Sequence, residues 1–309
     1  MNKLLPIFLI IGIAIFILIA IPLGSVHVPI EYIFHPQNAP EYMKLIIFNL
    51  RLPRIIMSLL IGMMLASSGA VVQTVFQNPL ADPYIIGISA SATFGAVIAF
   101  VLGLPDFMYG VIAFFMCLAS TFFIFKMAKK GNKINVTTLL IIGVAVSSFL
   151  GAFTSFSMYL IGEDSFKITM WMMGYLGNAT WSHIKFITIP LILSITYFYF
   201  KRHQLDALLS GDEEAHSLGV DVNKLKIKML AVTALIVAFS VAFSGMIGFV
   251  GLIIPHTIRM IVGPSNSKML PSTILAGGLF LMICDTIGRV ALAPVEIPLG
   301  VITAFFGAP

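Results

Sequence analysis

The residues of this chain that could take part in chemistry are few, and their spacing does not form a catalytic centre. The six histidines are scattered, and the sequence contains neither an HExxH motif nor the order of a Ser-His-Asp triad. A GxxxxGK[ST] loop is also missing from the sequence, so ATP cannot bind through that motif. We therefore predict a protein that is not an enzyme and that carries no cofactor or metal.

His256 is the one histidine within an apolar run that could serve as a ligand or a proton carrier. No second histidine or carboxylate follows it three or four residues later, where a helix would bring the two together; Arg259 stands at the first of these positions. We interpret His256 as a structural residue held by a hydrogen bond.

Three arginines stand at the ends of apolar runs: Arg51 and Arg54 at the start of the second run, and Arg289 at the end of the ninth. A guanidinium holds a carboxylate through two hydrogen bonds and keeps its charge. Because an unpaired arginine is costly in hydrocarbon, each should reach a membrane surface. Two alternatives stay open, namely interfacial anchoring of the side chains and, for Arg289, an ion pair with Asp285 four residues earlier.

The composition places these residues in a membrane. Of the 309 residues, 59% are hydrophobic and 10% are charged, and the mean hydropathy is +1.03. A soluble domain has roughly 25% charged residues. The apolar runs approach the ~20 residues that a helix needs to cross a bilayer, whereas barrel strands would be ~10 residues long with alternating character. The fold class predicted is an all-α integral membrane protein.

The chain divides into about ten candidate transmembrane helices. Their predicted ranges are 4–23, 54–76, 84–104, 107–128, 136–161, 183–201, 228–246, 248–262, 270–288 and 297 to the end. With the N-terminus inside, twelve of the 18 Lys and Arg residues fall on inner segments, as the positive-inside rule requires. The first run is interpreted as a retained helix and not as a cleaved signal peptide.

An internal repeat aligns residues 59–98 with residues 235–274. Matched pairs include Ser68/Ser244, Gly69/Gly245, Pro79/Pro255, Gly87/Gly263 and Ser91/Ser267. Such duplications are common in transporters, where the pathway lies near the repeat interface. The alignment predicts that Pro255 marks a break equivalent to the break at Pro79.

The first break is QNPLADPYIIGIS, residues 77–89. Pro79 and Pro83 each remove a backbone donor and interrupt a helix. Irregular backbone at membrane depth is tolerated only where protein covers it or a water-filled cavity receives it. We therefore predict that this segment borders a pathway at the inner end of the second helix.

Three stretches together resemble a known family. They are RLPRIIMSLLIGMMLASSGAVVQTVFQNPLADPYIIGIS (51–89), GMIGFVGLIIPHTIRMIVG (245–263) and LFLMICDTIGRVALAPVEIPLGVITAFFGAP (279–309). They resemble the signatures of permease subunits of type II ATP-binding-cassette (ABC) importers for iron–siderophores, haem and vitamin B12. The resemblance implies a single transmembrane permease domain over residues 1–309, with the ten-helix fold of the vitamin B12 permease.

The resemblance also implies partners and a place in the cell. The family works as a homodimer with two cytoplasmic ABC ATPase subunits and a periplasmic or lipid-anchored substrate-binding protein, in the cytoplasmic (inner) membrane of bacteria or archaea. An iron(III)–siderophore or haem is the expected substrate, and cobalamin or molybdate/tungstate are alternatives. A secondary transporter driven by ions is a further alternative, although Asp82 and Asp285 are the only acidic residues near the spans that could serve it.

The family's functional residues map onto this sequence as three groups. Matching arginines receive glutamates of the binding protein, which implies docking at Arg51, Arg54 and Arg289. A cytoplasmic gate is implied at Asn78, Leu80, Thr137 and Thr138. ATPase coupling is implied for the loop 205–226, at Leu208, Leu209, Gly211, Glu214, Ala215 and Gly219.

The loop 205–226 also has a pattern of its own. Leu205, Leu208 and Leu209 are spaced as on one face of a helix. This spacing predicts a short amphipathic helix whose apolar face is covered by a partner. The alternative is a solvated acidic loop.

Overall fold

The computed structural model describes residues 4–130 and 133–308, and this part of the chain is almost entirely helical. Two short strands, β1 (Lys129–Lys130) and β2 (Lys133–Ile134), pair antiparallel. The α-helices are α1 Leu5–Ala20, α2 Glu31–Phe34, α3 Glu41–Leu45, α4 Leu52–Val75, α5 Ile88–Val101, α6 Phe107–Ala128, α7 Val136–Ile161, α8 Ser165–Met172, α9 Trp181–Phe200, α10 Arg202–Leu208, α11 Asp212–Ser217, α12 Val222–Ser244, α13 Val250–Val262, α14 Asn266–Val290 and α15 Leu299–Gly307.

Each of the ten predicted segments contains a helix, but the helices differ in length. Within the described residues, six helical stretches are long and apolar enough to cross a membrane: Glu41–Val75, Phe107–Ala128, Val136–Met172, Trp181–Phe200, Val222–Ser244 and Asn266–Val290. The helices α1, α5 and α13 are apolar but have 16, 14 and 13 residues, and α15 has nine. At 1.5 Å per residue these helices are shorter than the ~30 Å hydrocarbon core. The fold is a multi-helix membrane bundle, and helix length alone does not establish ten crossings.

The centre of the bundle is α4, in which every residue from Met64 to Val75 is buried. It packs most extensively on α14 and also contacts α12, α13 and α9. A Cβ added to Gly62 would collide with the backbone of Gly277 on α14, and one added to Gly69 would collide with Gly251 on α13. Small residues therefore let these backbones approach, as the run of Gly, Ala and Ser in α4 suggests.

The bundle has two ends, which we name by their residues. The arginine end holds the start of α4 and the ends of α1 and α14, where Arg54 contacts Asp285 and Arg289 contacts Ala20. The coupling end holds the end of α4, the segment 76–87, α10, α11 and the start of α14. The helices α4 and α14 run from one end to the other.

The predicted break at Pro255 is wrong. Pro255 is buried inside α13, and the interruption after α12 lies at residues 245–249 instead. A proline leaves the carbonyl four residues earlier without its helical partner, here that of Gly251. The Gln73 side chain of α4 supplies a donor, with Nε2 3.4 Å from the Gly251 oxygen and 2.9 Å from the Leu252 oxygen. A side chain from another helix thus allows α13 to continue through its proline.

Part of the repeat alignment agrees with the structure. Gly87 and Gly263 both have positive φ, 81° and 89°, and each precedes a helix, α5 or α14, which the alignment sets against each other. The order of elements gives a different correspondence, in which α4–α5 and α12–α13 are each built as a long helix, a break and a short helix. The two copies share this plan, but their breaks do not fall where the alignment predicts them.

Candidate functional sites at the two ends of the bundle

The three predicted docking arginines come together at the arginine end. Arg51, Arg54 and Arg289 line one cleft of about 340 Å³, together with Tyr175 and Glu296. Arg289 lies more than 200 residues after Arg51 and Arg54, so the packing of α4 against α14 brings it to them.

Arg54 is the centre of an ion-pair network. Its Nε donates to Asp285 Oδ1 at 2.9 Å, and NH1 lies 2.9 Å from both carboxylate oxygens of Glu296. The guanidinium carbon is 5.6 Å from the ring centroid of Tyr175, within the range of a cation–π contact. Two carboxylates and a ring thus surround this guanidinium, and the Arg54 side chain is only 11% exposed.

The other two arginines bind the end of α1. Arg289 donates to the carbonyls of Ala20 and Leu23, and Arg51 donates to those of Ile21, at 2.5 Å, and Val26. The last carbonyls of a helix have no partner within the helix, so cationic donors satisfy them well. These arginines therefore fasten α1 to the start of α4 and the end of α14.

Arg289 also forms the in-helix ion pair that the sequence left open. Its Nε lies 3.3 Å from Asp285 Oδ2, a separation that qualifies as an ion pair but without hydrogen-bond geometry. Asp285 is 2% exposed and stands between two arginines, Arg54 and Arg289. A single buried carboxylate thus balances two guanidinium groups.

The expectation that all three arginines reach a surface is not met. Arg51 is 7% exposed and the Arg289 side chain 5%, because the bundle itself provides their partners. Sequence reasoning missed Glu296, which lies beyond α14 in the segment APVEIP and has no periodic pattern to indicate its role. Its only signal was a single carboxylate in an apolar stretch. Docking at these arginines stays a prediction.

At the coupling end, the predicted gate residues Asn78 and Leu80 lie in an exposed turn after α4. Asn78 Oδ1 accepts a hydrogen bond from the Leu80 N–H at 2.9 Å, which tightens this turn in the manner of an Asx-turn. Leu80 is 71% exposed, so it contributes little to the packing of the chain that carries it. The turn therefore presents an apolar side chain outward from a short polar loop.

Asp82 ends this turn and begins the next one. Its Oδ1 accepts from the Tyr84 N–H at 2.8 Å, which starts a single 3₁₀ turn at Pro83–Ile86. Burial raises the pKa of the Asp82 carboxyl to about 6, and the bond from Tyr84 offsets part of that rise. Asp82 is therefore a structural cap of the break.

The other predicted gate residues, Thr137 and Thr138, are exposed in the first turn of α7. Asn135 caps this helix by accepting from the Thr138 N–H at 3.1 Å. Further along, Gly143 of α7 packs on the segment between α4 and α5, and a Cβ there would lie 3.1 Å from the Ile85 oxygen. Both predicted gate stretches thus belong to the coupling end.

The predicted amphipathic helix of the loop 205–226 is two short helices, α10 and α11, followed by the start of α12. Leu205, Leu208 and Ala215 are fully buried in the core of the chain itself. The prediction that a partner covers this apolar face is therefore wrong for these residues, because α10 folds back onto α4 and α14. Leu209 and Leu218, at 38% and 71%, stay exposed.

Glycines shape the two ends of α11. Gly211 and Gly219 have φ of +119° and +82°, which glycine adopts without strain. The Gly219 N–H donates to the His216 oxygen at 2.9 Å and closes the helix. Glu214 is exposed in its first turn, where a carboxylate is favoured by the helix dipole.

Asp206 of α10 holds the start of α14. Its carboxylate accepts from Ser265 Oγ at 3.0 Å, the Asn266 N–H at 2.5 Å and Ser267 Oγ at 3.0 Å. The first N–H groups of a helix lack partners within the helix, and a carboxylate there is favourable. No local pattern indicated this contact, because the partners are about 60 residues apart.

The prediction that a hydrogen bond holds His256 is not met. Its Nδ1 is buried and has no hydrogen-bond partner among the described residues. Within the same part of the chain, no group of three or more His, Cys, Asp or Glu side chains could hold a metal ion.

Known proteins match this chain over nearly its whole length. Residues 12–309 match the FecCD transport family. The chain is 40% identical over 275 residues to the cobalamin import system permease protein BtuC of Halobacterium salinarum, covering 88% of this chain and 73% of that protein. It is 36% identical over 268 residues to the hemin transport system permease protein HmuU of Yersinia pestis, covering 84% and 80%.

A solved structure supports the same assignment. A transporter described as of the metal-chelate ABC type, in an inward-facing conformation, matches with a TM-score of 0.89 and 32% identity, over 100% of this chain and 97% of that one. The helical bundle, the family match and these relatives lead to one conclusion: the chain belongs to the FecCD transport family of membrane permease subunits of ABC importers.

Proposed function

We propose that this permease moves a metal chelate, an iron(III)–siderophore or haem, from a substrate-binding protein into the cytoplasm. A homodimer of the chain would form the pathway, and two ABC ATPase subunits would attach at the coupling end. The observation that carries this proposal is the arrangement of that end, where the exposed turn at Asn78 and Leu80 lies against the segment 205–226. The sequence has no P-loop of its own, which fits an external source of energy.

The exposed side chains of α7 support a pathway between two copies. One exposed row carries Ser148, Ala152, Ser155 and Tyr159, spaced along one face of the helix. By contrast, the neighbouring exposed row of α7 (Phe149, Phe153, Phe156) and the exposed middle of α9 (Phe186, Ile189) are bulky and apolar. A row of small and hydroxyl-bearing residues suits a water-filled passage or a second subunit, whereas bulky apolar side chains suit lipid.

The cleft at the arginine end supports docking of a binding protein there, with that end facing outward. A carboxylate that entered the cleft would meet Arg54, whose present partner Glu296 is 34% exposed at the side chain. Arg51 and Arg289 lie deeper and would contribute positive potential. The exposed residues Leu209, Glu214 and Leu218 would contact the ATPase at the other end.

The choice of substrate rests on the relatives and the family. One relative is named for hemin and another for cobalamin, so cobalamin is the main alternative, followed by molybdate or tungstate. An ion-coupled mechanism is less well supported, because Asp285 is engaged by two arginines and Asp82 caps a turn.

Vesicle uptake tests this proposal. The chain, its ATPase and its binding protein are reconstituted, and uptake of labelled iron(III)–siderophore, haem, cobalamin and molybdate is measured. ATP-dependent uptake of an iron chelate that persists with an uncoupler is expected. Uptake by the chain without the ATPase would contradict the ABC mechanism, and uptake of cobalamin or molybdate alone would correct the substrate.

The gate is tested by the double variant N78A/L80A. We expect assembly to be unchanged and substrate analogues to leak through the reconstituted complex, because the exposed turn would lose its apolar tip and its Asx bond. The control is L102A, an exposed leucine outside both predicted gate stretches, 64% exposed, which should not leak. If N78A/L80A passes no more substrate analogue than the wild type, Asn78 and Leu80 do not form the gate.

A further inference from the structure

Gln77 is the first residue after α4 to leave helical geometry, and it directly precedes the predicted gate turn. Its φ is +49°, one of two positive values at non-glycine residues in the described chain. Side chains other than glycine rarely adopt this conformation, and such residues persist only where neighbouring contacts hold them. The end of α4 supplies such contacts: the Gln77 N–H donates to the Thr74 oxygen at 3.2 Å and the Asn78 N–H donates to the Gln73 oxygen at 3.1 Å, which is the Schellman motif of a helix C-terminus.

The side chain of Gln77 reaches the coupling segment. Its Nε2 donates to the Leu208 oxygen at 2.8 Å and lies 3.4 Å from Asp212 Oδ1. Leu208 is the last residue of α10 and Asp212 is the first of α11, so Gln77 contacts the junction of these two helices. In the described structure, these are the hydrogen bonds that join residues 77–82 to residues 205–226.

The acceptor side of this contact is itself anchored. Asp212 Oδ2 lies 2.6 Å from the Nζ of Lys226, whose side chain is 10% exposed at the base of α12. The α10–α11 junction is thus tied to α12 on one side and to Gln77 on the other. If this junction moved, the hydrogen bonds of Gln77 would transmit the movement to the start of the gate turn.

The residues just before Gln77 are held by other helices. Gln73 binds α13 through the Leu252 oxygen and also accepts from Arg259, at 3.0 Å. Thr74 binds Asn266 at the start of α14, at 3.1 Å. The end of α4 is therefore fixed by the bundle, while Gln77 and the turn after it are exposed and tied to the coupling segment.

We infer that Gln77 is a positioning residue that transmits movement of the segment 205–212 to the gate turn 78–82. This rests on the proposed function, in which the ATPase moves that segment. Gln77 does not contact the substrate; its side-chain amide makes the turn follow the α10–α11 junction.

The first test is Q77A in the complete reconstituted importer. ATP hydrolysis stimulated by the binding protein should continue, while substrate taken up per ATP hydrolysed should fall about 2- to 10-fold, as expected for one lost hydrogen bond. The matched control is Q37A, which truncates an exposed glutamine with no hydrogen bond in the structure and should keep the wild-type ratio. Loss of both activities together would show damage to the ATPase contact and overturn the inference.

Two further variants separate the amide from the backbone. Q77G accepts the positive φ without strain but lacks the amide, so it should lose coupling as Q77A does. Normal coupling in Q77G would show that relief of strain, not the hydrogen bond, decides the behaviour of Q77A, and would overturn the inference. A short bis-maleimide bridge in Q77C/D212C should restore coupling that the unbridged variant lacks, whereas inhibition by the bridge would show that the segments must separate.

A readout without substrate keeps this test independent of the proposed function. Spin labels at L80C and L218C can be introduced specifically, because the native Cys117 and Cys284 are buried. In the complex with the ATPase, the label distance should stay narrow with and without ATP, and should broaden in Q77A. An unchanged distribution in Q77A refutes the inference, while absent uptake in the wild type refutes the proposed function instead.

Discussion

The two ends of the bundle are joined by opposite kinds of contact. At the arginine end, Arg54, Asp285 and Arg289 form a nearly closed network of full charges in which Asp285 is 2% exposed. At the coupling end, the side-chain hydrogen bonds between the turn 78–82 with its preceding residue and the segment 205–226 come from the amide of one exposed glutamine, Gln77. Removing one partner of a buried ion pair costs about 3–5 kcal/mol, whereas an ordinary hydrogen bond contributes about 0.5–1.5 kcal/mol. The contact between the turn 78–82 and the segment 205–226 can therefore be broken at lower cost than the ion-pair network of the arginine end.

Both ends are attached to the same pair of helices. At the arginine end, the termini of α4 and α14 carry Arg54 and Asp285; at the coupling end, Gln77 follows α4 and Asp206 contacts the start of α14. Close backbone packing between Gly62 and Gly277 joins the two helices along their length. Because the ion pairs at the arginine end hold α4 and α14 together, movement is expected in the more weakly held segments at the coupling end.

The largest effect is expected for D285A. Loss of the shared carboxylate leaves Arg54 with Glu296 alone and removes the carboxylate partner of Arg289, so the free energy of unfolding in detergent should fall by about 3–5 kcal/mol. Denaturant titration measures this. The control is D106A, which breaks the exposed pair with Lys167 and should cost less than about 1 kcal/mol. Equal effects of the two variants would contradict the closed network.

An intermediate effect is expected for D206A. Three donors at the start of α14 lose their acceptor, and we expect a loss of about 1–3 kcal/mol in the free energy of unfolding. D206N keeps one acceptor oxygen and should recover part of this loss. A D206A variant as stable as the wild type would show that serines and water satisfy the helix start, and would contradict the role of Asp206 in holding α14.

The smallest effect on stability is expected for E296A. Its side chain is 34% exposed, so losing its pair with Arg54 should change the free energy of unfolding by less than about 1 kcal/mol. If the cleft docks a binding protein, freeing Arg54 should tighten binding of that protein several-fold in a direct binding assay. E31A, an exposed glutamate without an ion pair in the structure, is the control. Weaker binding in E296A would show that Glu296 itself contacts the partner.

How far the sites could be predicted depends on where their partners lie. The break at residues 77–89 was predicted from local proline chemistry, and the in-helix pair of Asp285 and Arg289 was left open from a spacing of four residues; both are present in the structure. Glu296 and Asp206 were missed because their partners lie 242 and about 60 residues away. No local pattern encodes such contacts.

Local sequence patterns were sufficient to predict the membrane class and much of the helical plan. The predicted ranges 107–128 and 136–161 coincide with α6 and α7, because helix length and hydropathy are local properties that decide whether a segment can cross a bilayer. The continuation of α13 through Pro255 could not be predicted in this way, because the donor near the Gly251 carbonyl, Nε2 of Gln73, lies on another helix. The three arginines expected at the surface are likewise buried by packing, since carboxylates and carbonyls of the bundle replace the water that would otherwise solvate them.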